Sequence, residues 1–308
     1  MYQIFIIAAI LISIIFLICI ISIIECNSYK IVDYQLENTK NNSDFKFVFI
    51  SDFHNKRFKH LEKLVKNILN LNPDFIILGG DFVNYSRFNK FFKKIELENA
   101  KIFITELCKN FNKSNSNNNY NLNRIFFSFG NHELRLKDSL ENKFKDFIDF
   151  LKTNNIEVLD NNYIDIFDDV RIYGLSLYDG YYNKAFLNLC SFKHITSDTL
   201  NSIFKPFDSN KFNITLYHKP DYAEDLIYYG SDLVLSGHNH GGLIKFPFFG
   251  ALFSPDLAFL PKYNYGLYKC KNKYLIVSAG LGEHFLKIRV NNKPEICFIR
   301  VTNGKNNL

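Results

Sequence analysis

The chain has 308 residues, 47% hydrophobic and 22% charged, a composition that excludes disorder over the whole length and fits one large α/β domain or two modest ones. Its net charge of +6 and pI of about 8.8 come from Lys and Arg scattered among acids, which argues against a dedicated nucleic-acid reader. Six Cys without a C-x-x-C pair exclude thiolate zinc sites and dense disulfide scaffolds, while aromatic residues reach 17%, with 33 Phe and 18 Tyr.

Ile4 to Ile24 is almost continuously apolar, and the first charged side chain is Glu25. At about 1.5 Å per residue the run reaches about 30 Å, the hydrocarbon thickness of a bilayer. Met1-Tyr2-Gln3 carries no Lys or Arg and Ile23-Ile24-Glu25 is a poor cleavage site, which favours an uncleaved anchor over a removed signal peptide. The expectation is a single-pass transmembrane anchor over residues 1–26, embedded through residues 4–24 and standing outside the fold. A linker over 27–44 and one domain over 45–308 are expected after it. Lys30 and Lys40 are diluted by Asp33, Glu37 and Asp44, so the side of the membrane is not readable.

Phe45 to Ile50 reads as a buried strand ending at Ser51-Asp52-Phe53-His54. Leu61, Leu64, Val65, Ile68 and Leu71 keep helical spacing within 58–71. Asn72-Pro73-Asp74 stops that helix, and the next strand, Phe75 to Leu78, runs into Gly79-Gly80-Asp81. A helix is expected from about Lys90 to Phe111, and the Asn-dominated stretch Asn110 to Asn123 is expected as a surface loop. Arg124 to Phe129 returns to strand before Gly130-Asn131-His132-Glu133. A helix near Ser139 to Thr153 and strands at Ile156–Leu159 and Val170–Ser176 follow. Phe212 to Tyr217 leads into His218-Lys219-Pro220, and Asp232 to Leu235 into Ser236-Gly237-His238-Asn239-His240-Gly241-Gly242. Tyr265 to Val301 reads as strands and turns. Strands alternating with helices predict an α/β fold.

Five apolar strands thus end in short polar clusters, at the sheet edge where α/β proteins bind ligands. Asp52, His54, Asp81, Asn131, His132, His218, His238 and His240 gather there, including five of the eight His. Imidazole with carboxylate and no Cys suits Mn, Zn or Fe in a site that is not merely structural. So many donors suffice for two divalent metal ions about 3.5–4 Å apart, an arrangement that clamps a phosphoryl group for in-line attack. His60, His194 and His284 match no cluster and are expected to be structural or at the surface. Glu133 fits either a supporting or a surface role, and Tyr178-Asp179-Gly180 reads as a turn.

The ordered pattern D-x-H, G-D, G-N-H-[DE], H and G-H-x-H is carried by Asp52 and His54, Gly80-Asp81, Gly130-Asn131-His132-Glu133, His218, and Gly237-His238-Asn239-His240. It resembles the calcineurin-like metallophosphoesterase superfamily. Gly241-Gly242, Gly280-Leu281-Gly282 and Asn291 to Ile296 make it most similar to the membrane-anchored YkuE-like branch, over residues 45–301. The resemblance implies a four-layer α/β/β/α sandwich and a hydrolase of phosphomonoesters, phosphodiesters or pyrophosphates, with a hydroxide between two ions as nucleophile. It implies that Asp52, His54 and His240 hold one ion and that Asn131, His218 and His238 hold the other. Asp81 would bridge, and His132 would protonate the leaving oxygen.

Asn84 departs from the Asp that many relatives carry three residues after the bridging Asp. An amide orients an imidazole without stabilising its cation by charge, so Asn84→Asp is expected to raise the pH at which activity falls off on the alkaline side. The stretch Leu243 to Tyr265, rich in Phe and Pro, reads either as packing over the sheet or as a groove for a hydrophobic substrate. With the anchor it points to a lipid-linked substrate such as UDP-2,3-diacylglucosamine. Two other classes stay open on sequence: a non-catalytic interaction module of this fold, and a metal-dependent nuclease, which would add a basic groove not evident here.

Overall fold

Residues 2–304 are described by a computed structural model, apart from 39, 41–43, 86–94, 115–123, 183–193, 243, 247–249, 252–253, 255–257 and 284–286. β1 (Lys30–Asn38), β2 (Phe45–Ile50), β3 (Phe75–Gly79), β4 (Arg124–Ser128), β5 (Ile156–Leu159) and β14 (Glu295–Asn303) form one sheet, in the order β1-β14-β2-β3-β4-β5. β6 (Asn162–Phe167), β7 (Val170–Gly174), β8 (Phe212–Leu216), β9 (Leu233–Ser236), β12 (Gly266–Cys270) and β13 (Lys273–Val277) form the other, in the order β12-β13-β9-β8-β7-β6. β10 (Lys245–Phe246) and β11 (Gly250–Ala251) make a small antiparallel pair. The inner strands of both sheets run parallel: β2 to β5 in the first, and β7, β8, β9 and β13 in the second. Parallel neighbours place their carboxyl ends along one edge.

The period-2 pattern of β2 explains the layering. Phe45, Phe47 and Phe49 pack between the sheets with Phe75, Phe126, Ile172, Phe212, Ile214 and Leu235. Val48 and Ile50 point the other way, onto α2 (Leu61–Leu69), α3 (Glu98–Ser114), α4 (Asn131–Ser139) and α5 (Glu141–Thr153) through Leu64, Phe103, Leu136 and Phe147. On the far side Tyr173, Val234 and Leu275 pack against Leu200 of α6 (Ser197–Ile203) and Leu226 of α7 (Ala223–Tyr229). The result is the expected four-layer α/β/β/α sandwich. Phe47 and Phe75 stack at 4.7 Å in its centre. At about 2–3 kcal/mol per fully buried Phe side chain, these rings account for much of the aromatic excess as ordinary core.

Three expectations change. Lys30–Asn38 lies within the expected linker 27–44 but pairs with β14 in parallel register. Its alternation, with Tyr34 and Leu36 buried between exposed neighbours, is diluted by charge and reads weakly. α3 runs to Ser114, so the Asn-rich stretch is helix through that residue, and 115–123 lie outside the described residues. The first helix, α1 (Tyr2–Cys26), is exposed and apolar over most of its length, and is long and apolar enough to cross a membrane. It does not stand wholly outside the fold: Ser22, Glu25 and Cys26 are buried against the domain.

Candidate metal centre

Sheet register brings the five polar clusters to one place. Beyond the β2–β3 ladder, Asp52 N–H donates to Gly80 O and His54 N–H to Asp81 O, each at 2.9 Å. Beyond β8–β9, Gly237 N–H donates to His218 O at 3.0 Å. Asp52, His54, Asp81, His238 and His240 all adopt left-handed backbone, with φ between 46° and 67°. Such conformations are costly for non-Gly residues and gather at functional sites held by their surroundings. Two glycines make room for them: a Cβ at Gly130 would collide with Asp81 Oδ1, and Gly280, at φ +70°, lies against Asp52 Cβ.

Three groups present ligand atoms within 4.8 Å of one another: Asp52 with His54 and His240, Asp81 with His218 and His238, and His54 with Asp81 and His132. His54 Nε2 and His240 Nε2 face each other at 2.9 Å. Asp52 Oδ1 is 3.3 Å from His240 Nε2 and 3.4 Å from His218 Nε2. Asp81 Oδ2 lies 3.2 Å from His218 and 3.8 Å from His54, between the two groups, while its Oδ1 accepts from His132 N–H at 2.8 Å. The His132 side chain is 12% exposed, against 5% or less for His54, His218 and His240. His132 is thus more open to solvent than those three imidazoles.

Supporting bonds fix these side chains. Glu133 is fully buried; its carboxylate accepts from the N–H groups of Asp81, Phe82, Val83 and Gly130 at 2.8–3.1 Å. This settles its role: it pins the turn that carries Asp81 to the start of α4. Tyr85 N–H donates to His132 Nδ1 at 2.9 Å, so a neutral ring carries its proton on Nε2. The amide of Asn84, the residue before it, donates to Glu96 at 3.0 Å. Ser51 Oγ donates to Asp52 Oδ2 at 2.6 Å, and His238 N–H reaches Asp52 Oδ1 at 3.0 Å. Turned so that its nitrogen donates to His238 Nδ1, the Asn131 amide accepts from Arg135 Nη1 and Nη2 at 2.8 and 3.0 Å. A ligand role for Asn131 needs the opposite turn, with Oδ1 toward His238 Nδ1, and competes with Arg135.

The donor set fits divalent cations. His218 Nδ1 faces Gly79 O at 2.9 Å, which fixes the tautomer and leaves Nε2 buried without a hydrogen bond. Burial opposes a charge on His218, yet Asp81 and Asp52 push its pKa up to about 10. Burial likewise pushes the Asp52 carboxyl up, with Asp81 adding and His218 opposing. Burial opposes ionisation of Asp81 too, but His132, His218 and His54 hold it well below the usual carboxylate range. Such a cluster demands positive charge at its centre, as bound divalent ions provide.

The eight donor residues named from sequence, Asp52, His54, Asp81, Asn131, His132, His218, His238 and His240, lie together here. Sequence reasoning missed a buried layer behind His240: Arg289 and Asn292, held by Ser22 and Glu25 of α1. Those partners are 267 residues apart, and no local pattern links them. His60 is exposed, His194 is exposed and pairs with Asp225 at 3.0 Å, and His284 lies outside the described residues. Tyr178 is exposed beside the 3-10 turn Asp179–Tyr182. In the Phe-rich stretch, Phe248, Phe249, Phe253 and Leu257 lie outside the described residues, while Phe259 and Leu260 are 41% and 46% exposed. Asn239, between two candidate ligands, donates to Tyr263 O at 2.6 Å and joins that stretch to the site.

The family model described as Calcineurin-like phosphoesterase matches residues 45–242. The chain is 40% identical over 85 residues to the uncharacterized metallophosphoesterase YkuE of Bacillus subtilis, covering 28% of this chain and 29% of that protein. It is 24% identical to phosphodiesterase YaeI of Escherichia coli, over 89% of this chain and 88% of the other. It is 25% identical to UDP-2,3-diacylglucosamine pyrophosphatase LpxG of Chlamydia trachomatis, over 83% of each. Of the first relatives it matches, the chain spans 29% of the length of one and 63% or 64% of three others.

Proposed function

Since the chain belongs to the calcineurin-like phosphoesterase family, we propose that it is a metal-dependent hydrolase of phosphoric ester or pyrophosphate bonds in an amphiphilic substrate at a membrane surface. The observation that carries the chemistry is Asp81 Oδ2 lying between the His54 and His218 imidazoles. Asp52, His54 and His240 would hold one divalent ion, and His218, His238 and Asn131 the other, with Asp81 shared. When bound, such ions supply Lewis acidity toward a phosphoryl group and lower the pKa of water.

The chain's own residues do the rest. Tyr85 N–H keeps the His132 proton on Nε2, where it is available to a leaving oxygen. Glu133 keeps Asp81 and the start of α4 in register. Ser51 and the His238 N–H occupy the Asp52 carboxylate and set its orientation.

The membrane reading rests on α1 and its surroundings. The helix is long and apolar enough to span a bilayer, and removing it as a signal peptide would strip the buried contacts of Ser22, Glu25 and Cys26. Exposed Phe259 and Leu260 follow the last candidate ligand in the chain, which favours a substrate with acyl or prenyl chains. One named relative acts on UDP-2,3-diacylglucosamine and another is a phosphodiesterase, and both reactions suit this site. The test is turnover by the full chain in detergent, supplied with Mn, Zn or Fe, of a lipid-linked pyrophosphate and a soluble phosphodiester. The lipid-linked compound is expected to turn over at least about ten times faster in kcat/KM, a preference of about 1.4 kcal/mol. Equal turnover removes the lipid preference; no turnover of either with any metal removes the hydrolase reading.

A further inference from the structure

A simple tether needs no polar contact with the domain it carries, yet the last turn of α1 makes several. Ser22 Oγ accepts from Arg289 N–H at 3.0 Å and donates to Lys287 O at 3.3 Å. The Glu25 carboxylate accepts from Asn292 N–H at 2.8 Å. Lys56, two residues beyond His54, donates to Cys26 O at the end of the helix.

The residues gripped by α1 in turn grip His240. Arg289 is buried, and its guanidinium donates to Ala279 O at 2.8 Å, Gly282 O at 2.9 Å and Asn292 O at 3.1 Å. Its Nη2 lies 3.5 Å from His240 Nδ1. Asn292 Nδ2 donates to His240 O at 2.7 Å and also to Gly242 O. His240 sits in left-handed backbone, φ 48°, a conformation that persists only where surrounding bonds over-determine it.

We propose that Arg289 and Asn292 are positioning residues for His240, and that Ser22 and Glu25 hold them in place, so the apolar helix completes this half of the metal centre. The inference rests on the metal-dependent reading above. Its physical basis is that groups behind a ligand set its orientation, and their loss typically weakens metal affinity about 10–100-fold.

The experiment uses the full chain in detergent micelles, with Co2+ alone as the probe, followed by its visible absorption and by equilibrium dialysis. Ser22→Ala with Glu25→Ala is expected to weaken one of two Co2+ ions about tenfold and change its visible bands, with the second ion unaffected. Against a soluble phosphodiester the same variant is expected to lose kcat with KM little changed. Arg289→Lys should recover part of what Arg289→Met loses. Ile12→Val, in the exposed part of α1, should change nothing. Should Arg289→Met fail to fold, the Ser22/Glu25 variant still decides, because it leaves the sandwich core intact. Two unchanged Co2+ affinities in that variant overturn the inference while leaving the hydrolase reading standing. A wild-type chain that binds no Co2+ overturns both.

Discussion

The two halves of the candidate metal centre sit on the same sheet edge but lean on different parts of the molecule. Asp81, His218 and His238 are braced from within the sandwich: His218 on Gly79 O, Asp81 through the Glu133-pinned turn, and His238 N–H on Asp52. His240 is backed by Arg289 and Asn292, whose partners include the last turn of the apolar helix, and the His54 ring faces His240. The first half inherits the stability of a close-packed core. The second adjoins a seam of charges in which Lys30, Glu295, Arg289 and Glu25 act on the partly buried Lys245. One edge of one domain therefore holds a half braced by the core and a half braced in part by the apolar helix.

The change expected to act most strongly erases the distinction. Asp81→Ala removes the oxygen shared by both halves, and turnover should fall by at least about 10³-fold, roughly 4 kcal/mol of transition-state stabilisation. Steady-state kinetics on a soluble phosphodiester measures it. His132→Asn leaves both ligand sets in place; kcat is expected to fall about 10²- to 10³-fold while Co2+ binding stays at the wild-type level. A parallel loss of Co2+ would make His132 a ligand, which the third donor group with His54 and Asp81 allows geometrically.

Glu133→Ala attacks the core-braced half and, through it, the shared Asp81. It strands four buried N–H donors and should cost about 2–4 kcal/mol in a denaturant titration. Lys245→Met probes the seam. Burial pushes the Lys245 ammonium down to about 7, with Lys30 adding and Glu295 opposing. The folded chain thus releases this proton near pH 7 and the unfolded chain near 10.4. Between those values the unfolded state holds more protons, so stability should rise with pH from about 7 to 10. The substitution should flatten that rise; an identical slope in both proteins would take Lys245 out of the seam.

The same contrast explains what the sequence made legible. The candidate ligands follow apolar strands within two to four residues, so each cluster is visible locally, and only their convergence needs the fold. β2, β3, β4, β8 and β9 were readable because they are short, mostly apolar runs buried on nearly every residue. β1 was not, since an amphipathic edge strand with Lys30, Asp33 and Glu37 resembles a linker. α4 was hidden because Asn131, His132 and Glu133 read as a site loop, although Glu133 also starts the helix by bonding Gly130 N–H. The grip of Ser22 and Glu25 on Arg289 and Asn292 joins the two ends of the chain. Nothing in a 25-residue apolar run announces that its last turn has a partner.

The central claim is that two divalent ions at this cluster support phosphoester hydrolysis, and metal titration of chelator-stripped full chain tests it most directly. The stripped protein is expected to be inactive toward a soluble phosphodiester, with turnover returning as Mn is added and levelling off at two ions per chain. Undiminished turnover in the stripped protein, or a plateau reached without stoichiometric binding, would contradict it.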